Sequence, residues 1–309
     1  MTKMKYVVNI KWIIVDKEFN MTNSTQYEKL REVIREKFEH WGSGIQKDDV
    51  EDFVFNDFKE TVEKSEHFKL YRYMPVSYYN IRNLETQIIH LSSNGELNDI
   101  YEGVTAQGLI QNNYQLQKFG GAAYMTCMTE TYDNILMWSH YANSHKGICI
   151  EYDVKKLLTQ KNAFNYYIYP VIYGKVRLKD YGYDINKLIY DMEELENCIK
   201  NNAEYDGNYN LDDLLPLFLI KNECWSYEKE WRVIYTRKQM YDIDKEALYS
   251  FNIPFPCISG VYLGYRIDKT VEEDIIEIKD RFKSKNINIS VYKAKLSNDS
   301  FDIRFDKID

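Results

Sequence analysis

The chain has 309 residues, 44% hydrophobic and 28% charged, the composition of a globular protein long enough for one large core or two smaller ones. With 48 acidic against 40 basic residues the net charge is −8 and the pI near 5.4, which argues against broad, nonspecific binding to nucleic acid or an anionic membrane. The five cysteines (127, 149, 198, 224, 257) are scattered without a C-x-x-C pair, and no signal peptide or membrane-spanning apolar run is read, so reduced thiols, no zinc site and a cytoplasmic location are expected.

Residues 5–16 are β-branched and aromatic and read as a strand. Asn23-Ser24-Thr25 offers a helix cap before an amphipathic run to about His40, with Leu30, Val33, Ile34 and Phe38 at helical spacing. A second helical stretch spans 47–66, its aromatic stripe (Phe53, Phe55, Phe58) suited to packing. Residues 1–66 are therefore expected to be an N-terminal extension docked on a main α+β domain at 67–296. That domain should open with a strand at Phe68–Tyr73 ended by Pro75. A helix capped by Ser77 follows, then the strand Ile88–Ser93 and a turn through Asn94 to Asp99.

Residues 105–118 are Gln-rich and loosely helical, and Gly120-Gly121 ends them. A strand at 123–128 precedes a helix from Ile135 to Ala142 capped by Asp133-Asn134, and strands follow at 148–152 and 169–176. The pattern is helical from 184 to 202, loop-like over 202–210, and helical again from Leu211 to about Glu223. A strand at 260–264, a helix at 270–283 and a strand at 287–294 close the domain, leaving 297–309 as a polar tail.

The stretch Trp225-Ser226-Tyr227-Glu228-Lys229-Glu230-Trp231-Arg232 is the most unusual of the chain. If it is a strand, alternation puts Glu228, Glu230 and Arg232 on one face, a set that is costly to bury and unnecessary on a plain surface. Arg72, on a strand that is Phe, Leu and Tyr apart from Lys69, suits bidentate grip of a phosphate. Ser92 and Ser93, at the end of the next strand, can hold a ribose or support a turn. A late glutamate can bond a ribose hydroxyl and stabilise charge at an anomeric carbon. His140, in Trp138-Ser139-His140-Tyr141, can be a base, a phosphate donor or a tie between helix and loop. It lies five residues from His145, off metal-ligand spacing, and no metal is expected.

Leu70-Tyr71-Arg72-Tyr73, Leu91-Ser92-Ser93 followed by Leu97-Asn98-Asp99, and Met137–Ala142 with Lys146-Gly147 carry a resemblance, completed by residues 225–232 and Val261-Tyr262-Leu263-Gly264. Over about 68–295 the chain resembles a widespread bacterial family of unknown function, whose members often look like accessory or defence-island genes. This implies a role in conflict with phage, as a defence or toxin effector. The order Arg72, Ser92-Ser93, Glu228-Lys229-Glu230 also resembles ADP-ribosyltransferases of the Arg–Ser–Glu type. That resemblance implies a split β-sheet core with flanking helices and NAD as substrate, without a metal. Departures are Leu-Ser-Ser-Asn in place of Ser-Thr-Ser, a Trp-Ser-His-Tyr helix with no counterpart, and a Glu-x-Glu inside a strand-like run.

From it follow expected roles. Arg72 holds the pyrophosphate or ribose, Ser92 orients the strands around that ribose, and Glu230 or Glu228 bonds the 2′-hydroxyl. Tyr73, Tyr141 or Trp225 stacks on a ring, with Ser93, Asn98 and Arg232 also around the cofactor. The enzyme so implied either passes ADP-ribose to a protein, a nucleic acid or a phage component or, as an NAD glycohydrolase, hydrolyses the nicotinamide bond, and no membrane is involved. Two alternatives stand beside this: a non-catalytic sensor or interaction module binding a protein or nucleotide, and a metal-independent phosphodiesterase using His140, Lys146 and Arg232.

Overall fold

The computed structural model describes residues 23–39, 53–93, 99, 123–159, 166–175, 190, 193–194, 197–198, 200–201, 203, 215–236 and 250–308. The strand expected at 5–16, the segment 105–118 and the turn at Gly120-Gly121 lie outside these residues. Within them, helices and strands are organised around one large mixed sheet, an arrangement compatible with the α+β class.

The strands in chain order are β1 (Lys69–Met74), β2 (Ile88–Ser93), β3 (Ala123–Thr129), β4 (Ile148–Asp153), β5 (Ile168–Pro170) and β6 (Ile172–Gly174). They continue with β7 (Ile220–Asn222), β8 (Glu230–Thr236), β9 (Ser250–Pro254), β10 (Ile258–Leu263), β11 (Ser290–Leu296) and β12 (Ile303–Ile308). The main sheet runs β12-β11-β10-β4-β1-β3-β2-β9, with β8 on β3 and β5 on β8, while β6 and β7 form a separate parallel pair. The helices are α1 (Asn23–Glu39), α2 (Lys59–Lys64), α3 (Tyr78–Thr86), α4 (Ile135–Tyr141), α5 (Val154–Thr159), α6 (Leu215–Leu219) and α7 (Lys269–Ser284). A π-helical turn at Phe53–Phe58 leads into α2, and a 3₁₀ turn at Glu223–Glu228 into β8.

The path branches at β3. β8 pairs with β3 along its length, from Ala123↔Thr236 to Thr129↔Glu230. A strand has two hydrogen-bonding edges, so β1 and β2 must share the other one. β1 holds it only at Tyr71↔Thr129, and β2 only at Ser92↔Met125 and Ser93↔Tyr124. Glu130 donates its N–H to the Lys229 carbonyl (3.3 Å) on the β8 side, so alternation turns the main-chain groups of Thr129, Cys127 and Met125 to the shared edge. β1 and β2 part around Cys127, and the sheet is split there.

Alternation sorts the side chains into two cores. Leu70, Met74, Ile148, Ile150, Tyr152, Val261 and Leu263 face one of them, which also takes Tyr27, Leu30 and Ile34 of α1 and Ile275, Ile278 and Phe282 of α7. Tyr71, Tyr73, Cys149 and Tyr262 face the other, with Met137 and Trp138 of α4. The short α4 is fixed at its start by Asn134, whose Oδ1 accepts from Leu136 N (2.9 Å) and Met137 N (3.3 Å), a cap worth about 1 kcal/mol. Its end turns through Asn143, Ser144 and His145, all at positive φ, into Gly147. A Cβ at Gly147 would lie 2.3 Å from the Met74 carbonyl oxygen, so only glycine lets the loop pass this close to β1. The polar C-terminal stretch, expected as a tail, supplies the edge strand β12, paired from Val291↔Ile308 to Leu296↔Ile303.

Candidate functional site

A cavity of ≈ 230 Å³ occupies the split. Its walls are Tyr71, Arg72 and Tyr73 of β1, Ser92 and Ser93 of β2, and β3 from Met125 to Thr129. Met137 and Tyr141 of α4 and the charged group Lys221, Glu228, Glu230 and Arg232 complete it. The register places Ser92, Cys127, Thr129, Glu230 and Arg232 on the face of Tyr71, whereas Arg72, Ser93 and Thr126 belong to the opposite face. Side chains from both faces meet in one cavity because β1 and β2 have separated from each other there.

Glu228 and Glu230 do not share a strand. Glu228 ends the 3₁₀ turn, Lys229 adopts a left-handed conformation (φ 44°), and β8 begins at Glu230. The expected common strand face of Glu228, Glu230 and Arg232 is therefore corrected: Glu230 and Arg232 alternate along β8, and Glu228 reaches them from the turn. The two carboxylates meet on Lys221, whose Nζ donates to Glu228 Oε2 (2.6 Å) and Glu230 Oε2 (2.9 Å). Arg232 grips Glu230 with Nε (2.7 Å to Oε1) and Nη2 (3.1 Å to Oε2), and its Nη1 donates to the Phe218 carbonyl (2.6 Å). Tyr141 donates its hydroxyl to Glu228 Oε1.

All four charged residues are buried, and two acids against two bases leave the cluster neutral. Their environments differ. Burial alone would raise both carboxyls, but Arg232 and Lys221 together hold Glu230 far below the usual carboxylate range. Glu228, desolvated, sharing Lys221 and beside the charge of Glu230, is pushed upward. Two neighbouring carboxylates driven apart in this way suit one fixed anion and one proton carrier. Cys127, facing Glu230, stays a thiol because burial and that carboxylate both raise it.

The Arg72 end is different. Among the described residues the Arg72 guanidinium makes no ion pair and no hydrogen bond, although it is half-buried in the wall of the cavity. Thr126, 3% exposed, has an Oγ1 without a hydrogen-bond partner. Among the described residues, a cation without an acid partner and a buried hydroxyl without a hydrogen-bond partner fit an anion that also carries hydroxyls.

Beneath β8, helix α1 sends Arg31 into the protein. It pairs with Glu130 and donates to the Val171 carbonyl and, at 3.4 Å, to the Glu230 carbonyl. Trp231 Nε1 donates to the same Glu130 carboxylate (2.8 Å).

Of the residues singled out from sequence, Arg72, Tyr73, Ser92, Ser93, Tyr141, Glu228, Glu230 and Arg232 line the cavity. His140 does not; it lies exposed on α4, its ring 6.5 Å from that of Tyr227. Trp225 also stays off the walls and covers Lys221, with Nζ 5.0 Å from the ring centroid. Asn98 lies outside the described residues. The trio His140, Lys146 and Arg232 is not assembled: Lys146 is exposed, and Arg232 is engaged by Glu230 and the Phe218 carbonyl. Lys221 and Thr126 were not singled out. A lone lysine in Ile220-Lys221-Asn222 carries no signal, but Thr126 on a strand of small and polar alternation offered a faint one.

Among the described residues no group of three or more His, Cys, Asp and Glu could hold a metal ion, and no helix is long and apolar enough to cross a membrane. Residues 137–233 match the model of a family described as a protein of unknown function (DUF2971). The match is shorter than the resemblance read over 68–295: it takes in Tyr141, Lys221, Glu228, Glu230 and Arg232, but not Arg72 or Ser92. No curated protein and no solved structure matches the chain.

Proposed function

We propose that the cleft binds NAD⁺ and that the chain cleaves its nicotinamide–ribose bond, passing ADP-ribose to a macromolecule or to water. The observation that carries this reading is the split of the sheet, which gathers Arg72, Ser92, Glu228 and Glu230, far apart in sequence, around one cavity. The Arg–Ser–Glu order then has a spatial counterpart. The Glu-x-Glu pair also straddles a turn and a strand start, which removes one departure from the ADP-ribosyltransferase pattern.

At ≈ 230 Å³ the cavity is smaller than the ~300–1,000 Å³ of sites that bury a whole drug-sized ligand, so it suits one nucleoside end of the dinucleotide. In this reading Arg72 holds the pyrophosphate, and Ser92, Ser93 and Thr126 bond ribose hydroxyls. As the bond from C1′ to nicotinamide breaks, its electron pair leaves with the ring and positive charge grows at C1′. Glu230, kept anionic by Arg232, stabilises that charge, and Glu228 takes the proton that the incoming nucleophile loses.

Chromatographic measurement of nicotinamide release tests the reading, with purified chain, NAD⁺ and cell lysate as acceptor. Turnover by wild type that drops at least a hundredfold in Glu228→Gln supports it; equal, zero turnover in both refutes it. A second reading, a non-catalytic nucleotide sensor, is favoured by one feature: every carboxylate oxygen of Glu228 and Glu230 already accepts from a protein donor. Calorimetric binding of NAD⁺ or ADP-ribose without turnover would favour it.

A further inference from the structure

Lys221 is the least expected member of the cleft. It lies on β7, where it pairs with Tyr173 of β6, and it is 6% exposed. Its ammonium contacts both carboxylates at 2.6 and 2.9 Å, and the Trp225 ring closes another side. A buried lysine is costly unless it is paired, and here one ammonium is divided between two acids.

We infer that Lys221 is a positioning residue that aims Glu228 into the cavity and, by spanning the pair, decides which carboxylate carries a proton. The inference depends on the reading above only for the use made of that proton. Glu230 has the Arg232 guanidinium as a second cation and keeps its charge without Lys221. Among the described residues Glu228 has no second cation of this kind. The groups facing it are Lys221 from β7, Tyr141 from α4, Glu230 from β8, Tyr173 from β6 and Tyr227 from its own turn. Lys221 is the cation of that set; the phenols donate or stay neutral, and Glu230 repels. Lys221 therefore works against burial to keep the proton exchangeable, and without it Glu228 holds the proton to higher pH.

The test compares wild type with Lys221→Met and Lys221→Arg, following Glu228 by difference infrared spectroscopy. Its protonated-carboxyl band is the one missing in Glu228→Gln. The expected midpoint rises by about one pH unit or more in Lys221→Met, the size of losing an opposite charge at contact distance, and changes little in Lys221→Arg. An unchanged midpoint in Lys221→Met, or an equal rise in Lys221→Arg, overturns the inference. If the methionine variant does not fold, Lys221→Gln keeps an N–H donor, removes the charge and serves the same comparison. The titration needs no NAD⁺. A shifted midpoint with no wild-type turnover would sink the NAD⁺ reading and leave Lys221 in its role; turnover without a shift would do the reverse.

Discussion

Glu230→Gln should cost far more stability than Glu228→Gln, although the two carboxylates are separated by a single residue and share one lysine. Glu230 is 3% exposed and bound by Arg232 through both oxygens and by Lys221 through one. Its removal as a charge leaves two buried cations with one acid that is itself inclined to protonate. Breaking a buried pair from one side typically costs about 3–5 kcal/mol, and that is the expected loss at pH 7.5. For Glu228→Gln the loss should be roughly 1–2 kcal/mol, because its carboxyl is raised and an amide oxygen can still accept from Tyr141. The pH dependence has opposite signs. Glu230 is depressed in the fold, so its contribution is present above the unfolded glutamate value of ~4.3 and fades as pH falls below it. Glu228 is raised, so its contribution is greatest at low pH and is lost as pH rises through its folded value. The gap between the variants should therefore shrink on going from pH 7.5 to pH 4. Urea unfolding followed by tryptophan fluorescence measures both. If Glu230→Gln loses no more than Glu228→Gln at pH 7.5, the assignment of Glu230 as the anchored anion is wrong.

Thr126→Val should stabilise the ligand-free protein by about 1 kcal/mol, since an orphaned buried hydroxyl is removed at constant shape, and should weaken ADP-ribose binding. A melting curve and a calorimetric titration on the same sample check the opposed signs. Arg72→Met should change stability by less than ~0.5 kcal/mol, having no ion pair to break among the described residues, yet weaken binding of pyrophosphate-containing ligands roughly tenfold or more. Arg31→Met should cost about 3 kcal/mol by leaving Glu130 buried beside Trp231 without its cation, and Arg31→Met/Glu130→Gln should recover part of the loss in the same urea assay.

Local chemistry made many of the elements readable. Ser77, Asn134 and Asp268 cap α3, α4 and α7 in the structure, and Ile275, Ile278 and Phe282 recur at the helical spacing that buries one face of α7. Arg72, Ser92 and the two glutamates could be nominated because each is expensive where it stands. What sequence could not reveal was set by nonlocal packing. Glu-Lys-Glu-Trp-Arg has the period of a strand, but the left-handed turn at Lys229 interrupts it after Glu228. β12 was hidden by Arg304, Asp306 and Lys307, which suit the outer side of an edge strand as well as they suit a tail. The reading of one strand at 169–176 missed that Val171 intervenes between β5 and β6, donating its N–H to the Glu230 carbonyl (2.9 Å). Lys221 was illegible because nothing near it in sequence announces two acids arriving from a turn and a strand that follow.

The Arg31 side chain joins two parts of the molecule that sequence alone would separate. It begins on a surface helix and ends at the main-chain oxygen of Glu230, the residue on which the charged cluster is anchored. Anything that drew that helix away, whether a binding partner, a protease or a shortened chain starting at residue 67, would leave Glu130 without this counter-ion and take one of two donors, Arg31 beside the Val171 N–H, from the Glu230 carbonyl. The helix is thus a handle on the geometry of the cleft from the far side of β8.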